Sequence, residues 1–515
     1  MGFPLLGALL LIAVGAAVVV PLLRPASLAR AVTLVAMLAM LGLALRIFAA
    51  FDGSVDAPAV AFEWAPIAVL RFGVDGYNLY LLLLTTLLFP VVLLAIWRTP
   101  HATSRLHLGL LLALQAGLLG TFAAQNLLLF FVFWEAVLIP MLLLILVYGG
   151  SERRRAALTF FLVTMAGSVL LLAAVILLGA LHWHETGAWS FDYDALAALH
   201  LAPATQWFVF GAVALACAIK SPLVPFHAWL PLTYREASTA GTALMAGVLS
   251  KMGAYGFIRL AVPFAPDVAP LAAPWMMLLA AVSIVYGAIA ALRQTRPGDV
   301  VAYSSLSHMG FIVLGIFAFQ ATALQGALLQ MLSHGVVAAG LFLLLGLLEQ
   351  RRDDGGTLAL RAPRLAVATM LLVLASLALP LTSGFTAEFL ILLGAFSEGW
   401  AAWLQQDGVV RLAAALLATT AVVLGAAYML RYARTLLYDA PPSGADPRIA
   451  DLGGREALAI APLLAVVLAL GVWPAPWIAK TAQVTAQISS YSVVPSAVSA
   501  AHGEAVRTVR SPHGN

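Results

Sequence analysis

The stretch Ala218-Ile219-Lys220-Ser221-Pro222-Leu223-Val224-Pro225-Phe226-His227 places a lysine and two prolines inside a long apolar segment. The two prolines remove two backbone donors and break an α-helix. In a lipid bilayer, such unpaired backbone is tolerated only where it is buried in protein or lines a wet cavity. The stretch therefore predicts a broken membrane helix with Lys220 at the break. A proline kink with a lysine that snorkels to the membrane surface is the structural alternative.

Lys251 lies in a second apolar segment, Leu249-Ser250-Lys251-Met252-Gly253-Ala254-Tyr255-Gly256. The chain contains only three lysines and uses arginine for nearly all its other basic positions. A charge at the bilayer centre costs about 2.5–3.5 kcal/mol on insertion scales, so two such lysines indicate a functional site. Lysine can also give up its proton when buried, which arginine effectively cannot. The two lysines predict a membrane protein that moves protons or other cations.

The composition is typical of a polytopic membrane protein. Of the 515 residues, 63% are hydrophobic and 10% charged, against about 25% charged in soluble domains. Apolar runs of about 20 residues, each long enough to span a bilayer, predict an all-α fold of about fourteen transmembrane helices. The net charge of +4 lies in short loops and indicates orientation in the lipid bilayer, not nucleic-acid binding. The single cysteine, Cys217, excludes disulfides, zinc sites and Fe–S clusters built from this chain alone.

A second broken helix is predicted over 365–397, which is too long for one straight span. It contains Leu379-Pro380-Leu381-Thr382-Ser383-Gly384. The broken helices are the seventh and twelfth, at corresponding places in two halves, which predicts two inverted five-helix repeats. We expect a three-helix segment over 1–106, a first repeat over 107–262, a second repeat over 271–437, and a final helix (457–478) with a tail over 438–515.

The loops alternate in charge. Most of the 27 basic residues lie in one set of alternating loops. The positive-inside rule predicts that this set is cytoplasmic and that both termini face the other side, the periplasm if the protein lies in a bacterial inner membrane. The tail after about residue 480 is expected to be a surface strap or disordered.

Two carboxylates and three histidines also lie in or near apolar segments. Glu135 follows Phe133-Trp134, Glu388 follows the second break, and the histidines are His227, His308 and His334. Glu135 could instead be an interfacial carboxylate, and each histidine could be a hydrogen-bonded packing residue. Together with the lysines they predict a path ordered Glu135, Lys220, Lys251, His308 or His334, then Glu388. A Glu135–Lys220 pair would hold the lysine charged, and separating the pair would release its proton towards Lys251.

Several of these segments resemble the subunit M (chain 4) family of the proton-translocating NADH:quinone oxidoreductase, respiratory complex I. The resemblance runs from about Phe72 to about Trp477. The similar stretches are Arg71–Gly76, Phe133–Met141, Lys220–Pro231, Thr239–Arg259, Ala302–Leu314, Met331–Leu341, Ala375–Phe389 and Pro462–Pro476.

The resemblance implies a fourteen-helix antiporter-like fold in a membrane arm, beside sister antiporter-like subunits. It implies that the carboxylate at Glu135 pairs with Lys220, that Lys251 is the central lysine and that Glu388 is the terminal proton site. It implies no redox cofactor in this chain. NADH, flavin, Fe–S clusters and quinone would be bound by partner subunits.

The chain departs from the family pattern at four positions. Leu232 and Tyr234 stand where the family usually has an acidic residue and a histidine, Ser238 replaces a proline, and Ala387 replaces a glycine. These departures bear on the usual cytoplasmic proton-uptake route, not on the fold.

Three other functions are open to the sequence. A cation/proton antiporter or hydrogenase-linked subunit would share the fold. A polytopic lipid-linked glycosyltransferase would need a carboxylate cluster in an external loop, where Asp192 and Asp194 are the nearest match. A purely structural scaffold is disfavoured by the buried lysines.

Overall fold

The computed structural model describes residues 3–53, 70–351, 356–405, 408–440 and 449–490, and their regular structure is helical. The helices, in chain order, are α1 Phe3–Val19, α2 Ala26–Ala50, α3 Leu79–Ala95, α4 Arg105–Ala123, α5 Leu127–Ala136, α6 Leu138–Tyr148, α7 Arg153–Thr186, α8 Tyr193–Ala197, α9 Pro203–Lys220, α10 Trp229–Glu236, α11 Thr239–Leu244, α12 Lys251–Gly256, α13 Val268–Arg293, α14 Pro297–Phe317, α15 Ala321–Gln350, α16 Leu358–Arg361, α17 Pro363–Ser376, α18 Ser383–Leu404, α19 Val409–Leu437, α20 Gly454–Val472 and α21 Ala475–Ser489. Short 3₁₀ turns cover Val20–Leu22 and Pro100–Thr103. Two π-helical turns, Met245–Leu249 and Phe257–Ala261, flank α12.

The fold is an all-α, polytopic membrane bundle, as the sequence predicts. Within the described ranges, twelve helical segments are long and apolar enough to cross a membrane, and α3 and α17 are shorter apolar helices. The count of fourteen spans, the inverted repeats and the segment boundaries at 106, 262 and 437 stay predictions.

The bundle has a protein-covered centre and a lipid-facing periphery. In α14 and α15, 94% of the most apolar window is buried, and in α4 89% is buried. In α1, α2 and α19 less than a third is buried, and large side chains such as Leu11, Val35 and Val423 are exposed. Exposed apolar side chains are stable against lipid, so the central helices are the ones that can carry polar groups.

The first predicted break is confirmed. Helix α9 ends at Lys220, turns occupy 221–228, and α10 resumes the chain. The protein itself pairs the freed backbone groups, as a membrane requires. The indole of Trp229 donates to the Ile219 carbonyl (3.1 Å), and the Val224 amide donates to the Ser283 hydroxyl (3.0 Å).

The second predicted break is also confirmed. Helix α17 ends at Ser376 and α18 begins at Ser383. Between them Ala378 and Leu381 adopt positive φ angles of 52° and 72°, a conformation that costs a non-glycine residue free energy. Gly384 lets α18 approach the carbonyl of Ala375, because a Cβ at that position would overlap it.

The predicted end of the final helix is wrong. The final long helix, α20, ends at Val472, and the chain turns at Trp473-Pro474 into a separate helix, α21, instead of continuing to 478. Helix α21 buries Thr481, Val484 and Ile488 against the bundle, so the described residues after 480 form an ordered strap on the bundle. Its alternation of small polar and apolar residues made it look weakly hydrophobic in sequence. The part of the tail after 490 lies outside the described residues.

Arginines from separate loops lie near one another at one end of the bundle, which we call the arginine-rich face. Arg455 interacts electrostatically with Arg30, Arg98 and Arg351. At the same end Asp451 accepts backbone hydrogen bonds from Arg364, Leu365 and Leu452. Burial raises the pKa of the Asp451 carboxyl, but these three hydrogen bonds outweigh burial and hold it below its usual value.

Gly253 allows the segment that carries Lys251 to pack against the first break. A Cβ there would overlap the Ser221 hydroxyl and the Cys217 carbonyl, whereas Gly211 on α9 has no atom within 4 Å of such a Cβ. We expect Gly253→Ala to lower the free energy of unfolding by about 1–3 kcal/mol through overpacking. Gly211→Ala, the matched control, should be neutral or stabilising. Thermal unfolding of the detergent-solubilised protein measures both, and equal midpoints would contradict the close packing.

Candidate proton-transfer site

Lys251 lies at the centre of the bundle in a helix of unusual geometry. Residues 239–261 are continuously helical, but π-helical turns stand on both sides of α12. Such turns are rare and occur often at functional sites. Here the Lys251 ammonium donates to the carbonyl of Ala246, inside the first π turn, and to the Ser250 hydroxyl (3.3 Å). The side chain has no solvent exposure.

A row of four titratable side chains begins at this lysine. Lys251 Nζ lies 2.8 Å from His334 Nδ1. The rings of His334 and His308 are 5.3 Å apart between centroids, and His308 Nδ1 lies 2.8 Å from Glu388 Oε1. All four residues are buried. The structure thus brings together α12, α15, α14 and α18, and both predicted histidines take part.

Gln330 and Ser376 complete this row, and the sequence analysis missed both. The Gln330 amide donates to Glu388 Oε1 (3.0 Å) and lies 3.3 Å from His308 Nδ1. The Ser376 hydroxyl lies 3.4 Å from His308 Nε2. Gln330 stands four residues before His334 in an apolar helix, so it shares that helix face. This spacing is the signal that could have revealed it.

Lys220 and Glu135 form a second cluster. The Lys220 ammonium lies 5.0 Å from the centre of the Trp134 ring, and the indole of Trp134 donates to Ser168 (3.1 Å). Lys220 interacts electrostatically with Glu135, but no hydrogen bond or ion pair joins them, and Lys220 Nζ and Glu135 Oε1 have no hydrogen-bond partner. The expected pair is therefore an electrostatic interaction without a direct hydrogen bond. Glu135 is only half-buried.

Two serines lie between the clusters. The hydroxyl of Ser221, next to Lys220, donates to the carbonyl of Ser250, next to Lys251, at 3.5 Å. The buried hydroxyl of Tyr234 also interacts with that of Ser250. The bridge therefore links the two lysine-bearing segments, but it ends on a backbone carbonyl, and Lys220 Nζ has no hydrogen-bond partner.

His227 does not join either cluster. It lies in the turn after the first break, half-buried, with its ring 4.9 Å from that of Tyr286. Its Nδ1 has no hydrogen-bond partner. The structure places it apart from the Lys251 row.

The sequence analysis also did not identify a buried ion pair, which lies near the end of the bundle opposite the arginine-rich face. Arg259 binds Asp75 at 2.7 Å, with 12% and 15% of their side chains exposed. The guanidinium also lies over the ring of Tyr193 (4.8 Å).

Asp192, considered above for the glycosyltransferase alternative, binds Arg71 (3.5 Å) and the Asn126 amide (3.1 Å). These contacts fasten the 182–206 loop to the bundle.

Breaking a buried ion pair leaves one charge uncompensated, which typically costs about 3–5 kcal/mol. We therefore expect Arg259→Met to destabilise the protein by that amount, and Arg259→Met with Asp75→Leu to recover most of it. The control is Arg155→Ala, which removes an exposed pair with Glu152 worth about 0–1 kcal/mol. Thermal unfolding compares the three, and equal losses for Arg259→Met and Arg155→Ala would contradict the burial.

A membrane bundle with a buried row of lysine, histidine and glutamate is the architecture of an ion-translocating membrane protein. Among the described residues, no group of three or more His, Cys, Asp or Glu side chains is arranged to hold a metal ion. The groups present can accept and release protons.

Comparison with known proteins identifies the family. Residues 124–416 match the family described as NADH:quinone oxidoreductase/Mrp antiporter, TM. NADH-quinone oxidoreductase subunit M of Pseudomonas aeruginosa is 36% identical over 87% of this chain and 90% of its own length. The subunit M of Rickettsia typhi is 35% identical over 80% and 82%. The chain belongs to the NADH:quinone oxidoreductase/Mrp antiporter family of membrane subunits.

Solved structures agree with this assignment. A chain of respiratory complex I from Thermus thermophilus with bound NADH is 33% identical, with a TM-score of 0.83 over 95% of this chain and all of that chain. A chain of the Mrp complex from Dietzia sp. is 23% identical with a TM-score of 0.78, which shows a shared fold.

Proposed function

We propose that this chain is a proton-translocating subunit in the membrane arm of an NADH:quinone oxidoreductase. The observation that carries the proposal is the buried row Lys251–His334–His308–Glu388, whose hydrogen-bonded members are 2.8 Å apart. The subunit M relatives, 35–36% identical over most of both chains, support the parent complex. The chain would then be part of an enzyme whose NADH, flavin, Fe–S clusters and quinone are bound by partner subunits.

Translocation would begin at the cluster of Lys220 and Glu135. Because Glu135 is half-buried in this chain, a neighbouring membrane-arm subunit can change its electrostatic surroundings. When Glu135 stays ionised and close, it favours a charged Lys220. When its influence weakens, the unpaired ammonium becomes unfavourable in the membrane, and the proton passes towards Lys251. A water molecule or a side-chain movement would bridge the two amines, because Lys220 Nζ has no hydrogen-bond partner.

The proton would then move along the row towards Glu388. Each histidine can hold a proton on one ring nitrogen and accept at the other, and the 5.3 Å between the His334 and His308 rings leaves one gap for a side-chain movement or a water molecule. Gln330 fixes the Glu388 carboxylate, which would be the terminal site.

We place the protein in a bacterial inner membrane, with both termini on the periplasmic side.

A cation/proton antiporter or hydrogenase-linked subunit is the second candidate. The Mrp chain and a chain of an archaeal membrane-bound sulfane sulfur reductase share the fold at 23% and 22% identity. The subunit M proteins are closer in sequence, at 35–36%, and this difference favours the quinone reductase.

Substitution of Lys220 tests the proposal. In membrane vesicles that contain the assembled complex, we expect Lys220→Ala to abolish NADH-driven proton pumping. Lys220→Arg should fail as well, because arginine keeps the positive charge but does not release its proton. Lys480→Ala is the control, since Lys480 lies outside the site and donates to the Phe51 carbonyl (2.6 Å). It should pump normally.

Assembly is checked by native gel electrophoresis. If Lys220→Ala assembles and pumps at the rate of the unsubstituted complex, protons do not pass through this cluster and the antiporter alternative becomes the better one.

A further inference from the structure

An open groove of about 740 Å³ lies at the arginine-rich face, between the first turns of α2 and α20 and the loop that follows α3. Three of its lining residues are arginines, Arg30, Arg98 and Arg455, and the others are Trp97, two threonines and a proline. No carboxylate stands among these described lining residues. The groove is therefore a cationic site, and none of its residues belongs to the row around Lys251.

The groove holds positive charges close together with little negative charge to balance them. Arg455 interacts electrostatically with both Arg30 and Arg98. The carboxylate of Glu456 lies 3.8 Å from the Arg455 guanidinium, but Arg351 binds it more closely, at 2.6 Å. Like charges concentrated in one concave surface attract an ion of the opposite sign. The charge distribution therefore favours an anion in the groove.

Two of the guanidinium groups retain buried donors for such an anion. The Nε atoms of Arg30 and Arg455 are buried and have no hydrogen-bond partner. Arg30 is held in place by Trp97, because its Nη1 donates to the Trp97 carbonyl (3.1 Å) and its guanidinium lies 4.2 Å from the centre of the Trp97 ring. Native proteins rarely leave buried donors unpaired, and the planar guanidinium matches the geometry of a phosphate group. These donors point to a phosphate as the ligand.

The helices on either side of the groove face lipid. In both α2 and α20, a third or less of the most apolar window is buried. Leu458, one turn beyond Arg455 on α20, is an exposed apolar side chain. Tryptophan, which Trp97 contributes to the groove, is the residue type that concentrates where a membrane meets water. A ligand in the groove therefore lies next to apolar side chains that contact acyl chains.

The arginines lie at the depth of lipid phosphate groups. Arg30 is the fifth residue of α2 and Arg455 the second of α20, and both helices begin at this face. At 1.5 Å per residue, the two residues lie about 6 Å and about 1.5 Å inside the helix ends. The headgroup layer on each side of a bilayer is about 5–8 Å thick. Both residues therefore fall within the layer that contains the phosphates.

We propose that this groove binds the phosphate group of an anionic phospholipid. The phosphate accepts hydrogen bonds from the guanidinium groups of Arg30 and Arg455, Arg98 lies at the rim, and the acyl chains run along α20 past Leu458. Basic pockets between membrane helices are suited to such headgroups. The bound lipid ties the start of α2 to the start of α20, two segments that are far apart in the sequence. The inference goes beyond the proposed function and does not depend on it.

Lipid binding to the full-length chain in detergent tests the site. Native mass spectrometry of the delipidated protein measures the apparent Kd of the first phosphatidylglycerol bound, with the zwitterionic phosphatidylcholine as the reference lipid. We expect the chain to prefer phosphatidylglycerol by about tenfold, and Arg30→Gln with Arg455→Gln to abolish that preference. The matched control, Arg153→Gln with Arg154→Gln, removes two exposed arginines from α7 and should keep it. Equal preferences in the two double variants, or no preference in the unsubstituted chain, would overturn the site.

Two further measurements separate the site from a folding defect and from a site for free phosphate. Arg98 is exposed, so Arg98→Gln should leave the midpoint of thermal unfolding unchanged and still weaken phosphatidylglycerol binding by about threefold. Unchanged binding by that variant would contradict the proposal. Inorganic phosphate in large excess should not displace the bound phosphatidylglycerol, because it lacks the acyl chains that contact α20. Displacement would show that the groove binds free phosphate and would overturn the assignment to a lipid.

Discussion

The buried side-chain nitrogen of Lys251 is the constraint on which the rest of the structure depends. A polar group at that depth is stable only when the protein supplies the hydrogen bonds that it has lost with water. The π turns free the Ala246 carbonyl towards it, and α15 supplies His334 at 2.8 Å. Helices α4, α14 and α15, which surround this layer, are accordingly the most buried spans.

The same constraint explains the two broken helices. A continuous helix satisfies all its own backbone groups and offers none to a neighbour. At 221–228 and 377–382 the helix is interrupted. At the first break Trp229 and Ser283 form hydrogen bonds with freed backbone groups, and at the second Ala378 and Leu381 take up positive φ angles. Each break has a titratable side chain beside it: Lys220 at the first and Glu388 after the second. In the proposed mechanism a proton crosses the bundle laterally, from one break to the other.

The titratable residues and the two helix breaks could be predicted from the sequence, because charges and prolines stand out in apolar membrane helices. Prolines and charges are costly in apolar helices, so Lys220, Lys251, Glu388 and both breaks could be located from residue type and depth alone. Neutral polar residues give a weaker signal, and Gln330 becomes informative only when its neighbours His308 and Glu388 on other helices are known. The π turns could not be predicted from the residue types of the segment 239–261, because they depend on how that segment packs. Helix α21 was missed because a short amphipathic helix that packs on a bundle resembles a polar tail in sequence.

Glu135 and Lys220 interact electrostatically without a hydrogen bond between them. Residue type predicts attraction between the two charges but not their separation, and the nearest aromatic ring to Lys220 Nζ recorded here is that of Trp134 at 5.0 Å. Attraction at longer range is weaker and easier to modulate, so a half-buried Glu135 is well placed to respond to a neighbouring subunit. The two clusters then differ: Lys220 and Glu135 are not joined by a hydrogen bond, whereas the Lys251 row consists of two close contacts of 2.8 Å with one gap between the histidine rings.

The most direct test of this account is the number of protons translocated per NADH oxidised when Glu388 is neutralised. Glu388→Gln preserves the size of the side chain and its contact with Gln330 but removes the terminal titratable group. Glu398→Gln, on the same helix, changes a carboxylate that binds Arg411 at 2.8 Å outside the row. The account predicts a lower ratio for Glu388→Gln and an unchanged ratio for Glu398→Gln in the assembled complex. An unchanged ratio for Glu388→Gln would show that protons do not leave through this row.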